Sequence, residues 1–431
     1  MNAALRPFYA AAAQLARLGA TVAPDGAHGS KFMRTFAARR GIRERYLEWG
    51  ATSRDRTRGL LWMHAPSVGE GLQARPILEV MRAARPDLQL AYSYYSPSAE
   101  RFALGLDVDF RDYLPFDTGG DARAALDALA PTALVFSKLD VWPTLAHEAA
   151  RRGVRLGLVS ATLAANSSRR KAWAATWLRD AYAAMDAVGA VAADDAERLV
   201  ALGVRPSVVE ITGDTRYDQV WRRAGAVDRT SALLAPLASA RPTIVAGSTW
   251  PTDEAPLLAA YDAIRRREPA VRLIIAPHEP TAPHLAAIEA WAQRADVSIV
   301  RLGEVQTAPS ADVVLVDRVG VLGELYALAE IAYVGGAFHS AGLHSVLEPA
   351  AFGAPVLFGP RHRGSRDAQA LLAAGGARTA GDRHELTAIL REWIESPSER
   401  SAAGEHAKAV VRSGLGAAER SAHLVERLLA R

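Results

Sequence analysis

YVGGAFHSAGLHSVLEPAAFGAPVLFGP, residues 333–360, reads as a buried strand ending at Val334, a glycine turn at Gly335-Gly336, a loop to Gly342, a helix from about Leu343 to Phe352 and a second strand over 355–358. Glycines at the carboxyl end of a strand let backbone N–H groups come close to a ligand, and the positive end of the next helix points to the same place. Such a turn suits an anion. His344 and Glu348 are four residues apart and would share one face of that helix. There a carboxylate suits the paired hydroxyls of a sugar, and an imidazole suits a phosphate oxygen. The stretch reads as a nucleotide-sugar donor site; the competing reading is an ordinary strand–helix–strand unit with a Gly turn.

Upstream, the same alternation of short apolar runs with amphipathic helices restarts twice. Strands are expected at 60–65, 88–94, 132–137, 155–161, 187–193 and 207–213, with helices between them. After an Ala-rich, polar break at 222–241 the pattern resumes at 242–248, 271–277, 297–302, 311–317, 331–336 and 355–359, and it ends in three helices from Asp382 onward. The fold class is α/β: two successive doubly wound, parallel-sheet (Rossmann-like) domains, with a cleft between them at the carboxyl ends of the strands. The expected division is a helical segment over 1–58, a first domain over 59–225 and a second over 226–431 that keeps the C-terminal helices.

At 431 residues the chain is too long for one ordinary core. Half its residues are apolar and 23% are charged, as in folded globular proteins, and there are no cysteines, which excludes disulfides and thiolate chemistry. The net charge of +4 favours anionic partners, with no nucleic acid expected among them. No run reaches the roughly 20 apolar residues of a spanning helix. Residues 7–23 read either as an interfacial helix with Phe8, Tyr9, Leu15 and Leu18 toward lipid, or as an Ala-rich helix packed on its own domain. Lys31, Arg34, Arg39, Arg40, Arg43 and Arg45 follow, a solvated face or a contact for acidic headgroups.

Ser67-Val68-Gly69-Glu70 follows the first strand and opens a helix, which puts Glu70 where a general base belongs. The plainer reading is a first-turn Glu stabilising its own helix. Gly247-Ser248-Thr249 closes the first strand of the second domain, as a phosphate cradle or a simple N-cap. His278 ends the next strand, Lys138 and Asp140 end the strand at 132–137, and Arg216 follows the last strand of the first domain. Asp107-Val108-Asp109 has the D-x-D form of metal-dependent sugar transfer but lies in the wrong half, and no His/Asp/Glu cluster has metal-site spacing.

Taken in order, WMHAPSVGE, YSYYSPSAE, SKLDVWP, GDTRYD, GSTWPTDE, APHEP and the stretch at 333–360 resemble the 3-deoxy-D-manno-octulosonic acid (Kdo) transferases, inverting enzymes of GT-B fold. The resemblance runs from about Arg34 to the C-terminal helices. It implies transfer of Kdo from CMP-Kdo to lipid A precursor at the cytoplasmic face of the bacterial inner membrane, with no cofactor and no metal. It implies Glu70 as general base and Ser248, Thr249, His278, Gly335, Gly336, His344, Ser345 and Glu348 as donor-binding residues. Ser67, Gly69, Lys138, Asp140 and Arg216 are the residues expected around the acceptor. The chain departs from the family's pattern at Pro277, where an arginine is usual, at Ser345 for Asn, at Asp140 for Glu, and over 361–369. The alternatives left open are another nucleotide sugar, handled by a transferase or epimerase, and a degenerate relative without activity.

Overall fold

Strand β1 (Leu60–His64) is buried along its whole length, because a parallel neighbour lies on each side and helices cover both faces. The computed structural model that shows this describes residues 6–22 and 31–430. With β2 (Gln89–Tyr94), β3 (Phe110–Tyr113), β4 (Ala133–Ser137), β5 (Arg155–Ala161), β6 (Ala187–Ala190) and β7 (Val209–Ile211), β1 forms a seven-stranded parallel sheet in the order β3-β2-β1-β4-β5-β6-β7. Chain order reverses between β1 and β4, and the crevice at their carboxyl ends is where such sheets bind ligands. The segments that follow these two strands carry Ser67–Glu70 and Ser137–Lys138.

A second all-parallel sheet is built from β8 (Thr243–Thr249), β9 (Arg272–Pro277), β10 (Ile299–Arg301), β11 (Val313–Leu315), β12 (Ile331–Val334), β13 (Val356–Phe358) and β14 (Ala377–Thr379), in the order β10-β11-β9-β8-β12-β13-β14. Its order reverses between β8 and β12. The segments at that point are Ser248–Trp250 and the glycine-rich stretch from Gly335. The two doubly wound sheets are the GT-B pair expected from the sequence.

The units divide at Gln219/Val220, and the second ends at Gly414. This corrects the expected boundary at 225/226 and the placing of all C-terminal helices in the second domain. The last helix, Ala417–Leu429, returns to the first unit, where Leu424, Val425 and Leu428 join its core. Asp218 secures the return by accepting from the N–H of Gly416 at 2.7 Å and of Ala418 at 2.8 Å. An amphipathic helix announces that it packs, not on which sheet.

Two strands escape the apolar pattern. β3 carries Arg111 and Asp112, and Asp112 is matched by Arg45 at 2.6 and 2.8 Å; β14 is three residues at an edge. Just before β3, Asp109 accepts from the N–H of Leu90 at 2.7 Å and from Arg82 at 2.8 Å, an anchoring role.

The helix Arg6–Val22 packs on the first unit through Tyr9, whose hydroxyl donates to the buried Asp117 at 2.6 Å and whose ring meets Trp177 edge-on. Tyr9 is therefore not on a lipid side, whereas Leu15 (69%) and Leu18 (61%) stand exposed. The side chains of Phe8 and Lys31, and residue 23, lie outside the described residues. The arginine run is not one solvated face: Arg39 is buried with its guanidinium 3.9 Å from the Tyr95 ring centroid. Among the described residues no helix is long and apolar enough to cross a membrane.

Candidate functional site

In the first unit, Glu70 is the third residue of the helix Val68–Ala84, with Ser67 at the position before the helix. The Ser67 hydroxyl donates to one carboxylate oxygen and the Lys138 ammonium lies 3.4 Å from the other. The Ser137 hydroxyl donates to the Glu70 main-chain carbonyl at 3.2 Å, which fixes the helix start against β4. Lys138 adopts a left-handed φ of 65°, rare for a side-chain-bearing residue, and its N–H is held by the Val159 carbonyl at 2.8 Å. Gly69 is exposed, with only the Ser67 hydroxyl near where a Cβ would stand.

Ser67, Glu70 and Lys138 thus come together, and the other two expected residues do not join them. Asp140 bonds His64 Nε2 at 3.2 Å and accepts from the Trp142 indole at 3.0 Å. Burial pushes its carboxyl up, but His64, Trp142 and Arg169 outweigh burial and hold it below the usual value. Arg216 forms a two-pronged pair with Asp214 of its own loop, at 2.9 and 2.7 Å.

In the second unit, His344 belongs to a loop and not to a helix shared with Glu348: the helix is the single turn Leu347–Ala351. The helix expected from 343 fails because the preceding chain is committed to a turn. Gly336 and Gly342 take φ of 95° and 90°, and the His344 N–H returns to the Gly335 carbonyl at 3.1 Å. A Cβ on Gly336 would fall 2.1 Å from the Gly342 carbonyl, and one on Gly335 2.3 Å from the Ser248 carbonyl.

The glycine N–H groups are also not free for an anion. That of Gly335 is taken by the Gly247 carbonyl at 2.9 Å, and that of Gly336 by Asp253 at 2.8 Å. Asp253, fully buried, further accepts from the N–H groups of Trp250 at 3.0 Å and Phe338 at 3.1 Å and from the Tyr333 hydroxyl at 3.4 Å. Burial together with this acceptor is what pushes the Tyr333 hydroxyl far up. The two glycines shape the site rather than bind in it. Thr249 is buried and donates to Glu254 at 2.7 Å, so it too is a support.

What remains is a cluster of rings. Trp250 stacks on His339 at 4.4 Å and on His278 at 4.8 Å, and His278 stacks on His344 at 4.4 Å. The Trp250 indole donates to His344 Nε2 at 3.1 Å. Burial first, then His278 and His339, push the His344 imidazole below its usual value, with Asp253 opposing. Ser248 is held at a φ of 54° where the β8–β9 register slips, a bulge that re-aims its side chain. Glu348 is partly buried, and burial raises its carboxyl against the pull of Arg223. Ser345 is exposed.

Trp250 and His339 were not read from the sequence as site residues, although the G-S-T-W-P-x-D order placed Trp250 at a helix start. Among the described residues no group of three His, Asp or Glu could hold a metal ion. The arrangement sets a carboxylate beside an ammonium after β1, and stacked rings with imidazole nitrogens after β8, β9 and β12.

Residues 39–219 match the family described as 3-Deoxy-D-manno-octulosonic-acid transferase (kdotransferase). A 3-deoxy-D-manno-octulosonic acid transferase of Bordetella pertussis is 29% identical over 85% of this chain and 86% of its own length. One from Haemophilus influenzae is 26% identical over 74% and 75%. Among solved structures, UDP-GlcNAc 2-epimerase from Neisseria meningitidis, bound to UDP-GlcNAc, matches at 13% identity with a TM-score of 0.62, covering 86% of this chain and 99% of that one, a likeness of fold alone. The family domain thus lies over residues 39–219, and along most of its length this chain is similar to curated Kdo transferases.

Proposed function

We propose that this chain transfers Kdo from CMP-Kdo to the glucosamine 6′-hydroxyl of a lipid A precursor, with inversion, in lipopolysaccharide core biosynthesis. The observation that carries the chemistry is Glu70, set between the Ser67 hydroxyl and the Lys138 ammonium after β1. The second unit holds the donor: Ser248, His278 and His344 meet its phosphate and base, and Glu348 takes the ribose hydroxyls. Trp250, Thr249, Gly335 and Gly336 keep those groups in place.

In the reaction the acceptor oxygen attacks the anomeric carbon as the bond to the CMP phosphate breaks. Glu70 takes the hydroxyl proton, and CMP leaves with the electron pair on its phosphate oxygen. One in-line displacement inverts the centre. A phosphomonoester leaving group can be stabilised by fixed dipoles and imidazole N–H groups, so the proposal includes no metal and no cofactor.

The acceptor is an acidic lipid. The helix Arg6–Val22, with Leu15 and Leu18 exposed, suits contact with the cytoplasmic face of the inner membrane. Mass spectrometry of lipid A precursor after incubation with CMP-Kdo tests the reading. A Kdo-extended lipid is expected, and unchanged lipid would contradict it. Thermal-shift titration separates the rival donors, since stabilisation by UDP in preference to CMP would favour another nucleotide sugar.

A further inference from the structure

The loop after β9 carries His278 to the ring cluster, and a second imidazole fixes that loop from the other side. His284 Nδ1 lies 3.0 Å from the Glu279 carbonyl oxygen, and Nε2 lies 2.9 Å from each carboxylate oxygen of Glu254. The Thr249 hydroxyl donates to the same carboxylate at 2.7 Å. The side chains are nearly closed off from water, at 10% exposure for His284 and 7% for Glu254.

A carbonyl only accepts, so Nδ1 carries a proton. A neutral imidazole has one N–H, and with that proton on Nδ1 the Nε2 lone pair would face the carboxylate lone pairs. The hydrogen bonds therefore require one further proton between Nε2 and Glu254. It makes no difference whether the pair is drawn as imidazolium and carboxylate or as imidazole and carboxylic acid, because the proton count is the same.

We infer that Thr249, Glu254 and His284 form a proton-held clasp that positions the donor-binding loops after β8 and β9. The inference rests on the reading of those loops as the CMP-sugar site. Thr249 directly follows the strained Ser248, and its carbonyl accepts the His278 N–H at 2.9 Å. Fixing Thr249 from the helix Pro251–Arg265 and from the start of the helix Ala282–Arg294 together therefore sets both Ser248 and His278. The groups facing His284, which sits in the first turn of the helix Ala282–Arg294, are Glu254 from the helix Pro251–Arg265 and the Glu279 carbonyl of the loop before its own helix, with the Thr249 hydroxyl on the far side of the carboxylate. The clasp holds only while that shared proton is present: without it Nε2 and the carboxylate repel, and donor binding weakens.

The test is calorimetric titration of CMP into the full chain near pH 7 and near pH 9.5, for wild type, Glu254→Gln and His284→Ala. The Gln amide donates to a neutral His284 Nε2 and its carbonyl accepts from Thr249, so this clasp needs no extra proton. Wild-type Kd is expected to rise about tenfold between the two pH values, the scale of one lost charge-assisted hydrogen bond. Glu254→Gln should change by less than about twofold over that range, and His284→Ala should be about tenfold weaker already near pH 7. His278, His339 and His344 are common to wild type and Glu254→Gln, so their contribution cancels in the comparison. Identical pH profiles for those two proteins would overturn the clasp. Absence of CMP binding to wild type at either pH would instead overturn the donor reading. In that event nitrogen-15 NMR of the His284 ring decides the clasp: two protonated nitrogens near pH 7 support it, and a ring protonated only on Nδ1, with an ionised Glu254, overturns it.

Discussion

The Trp250 indole N–H donates to Nε2 of His344 across 3.1 Å, and this one bond settles which nitrogen of His344 carries its proton. An indole cannot accept, so Nε2 does, and neutral His344 is left as an Nδ1–H donor. Trp250→Phe keeps the stacking area and removes the bond. The donor KM is expected to rise about fivefold with kcat little changed, since one neutral hydrogen bond contributes ~1 kcal/mol. Steady-state kinetics with varied donor checks it; an unchanged KM would show that the bond orients nothing.

His344 also predicts an acid limit. Burial, then His278 and His339, put its folded value below the 6.5 of the free side chain. Between those two values the unfolded chain holds more protons, so stability falls as pH drops below about 6.5. His344→Gln should remove that part of the loss. Urea unfolding near pH 7.5 and near pH 5.5 measures it, and equal losses in wild type and variant would refute the assignment.

Glu348 works in the opposite sense. Burial raises its folded value above the usual 4.5, so the folded chain holds more protons above that value and stability falls as pH rises through the window. The penalty is then carried in full at neutral pH. Glu348→Gln should raise Tm near pH 7.5 by about 2–4 °C, the shift that ~1 kcal/mol gives a domain of this size, and by nothing near pH 4. Donor binding should fall in the same variant, because a ribose acceptor is lost. A lower Tm at neutral pH would mean that Arg223 outweighs burial.

Asp253 holds the glycine turn to the start of the helix Pro251–Arg265 by accepting four hydrogen bonds. Asp253→Asn turns an amide against one of the N–H donors in a fully buried place. A loss of about 2–4 kcal/mol in urea unfolding is expected, together with loss of CMP binding. A variant as stable as wild type would show that the turn holds itself.

The features legible in the sequence were those written locally. β1, β4, β5 and β8 are continuous apolar runs, and the glycines at 335–336 announce a tight turn after one of them. Glu70 was legible because a helix start directly after a buried strand has only one place to go in a doubly wound sheet. The unread features are those set by residues far apart. The glycine N–H groups are taken by Gly247 and Asp253, partners remote in sequence, and the ring cluster joins residues 250, 278, 339 and 344 from three loops. The intended helix at 343 lost to two glycines in left-handed conformation. Tyr9 looked like a lipid anchor because its partner, Asp117, is more than a hundred residues away.

The membrane proposal has its own test. Leu15→Gln with Leu18→Gln leaves the Tyr9–Asp117 anchor intact and removes the two exposed leucines. Co-sedimentation with vesicles containing acidic phospholipid should fall about tenfold or more, at ~25 cal/mol per Å² of apolar surface withdrawn. Undiminished sedimentation would move the contact elsewhere on the chain.

Base catalysis by Glu70 is the claim on which the account stands, and single-turnover transfer by Glu70→Gln measures it most directly. With CMP-Kdo and lipid A precursor saturating, the rate should drop by about 10²–10⁴-fold while CMP affinity stays near that of wild type. Transfer within a few-fold of the wild-type rate would contradict it.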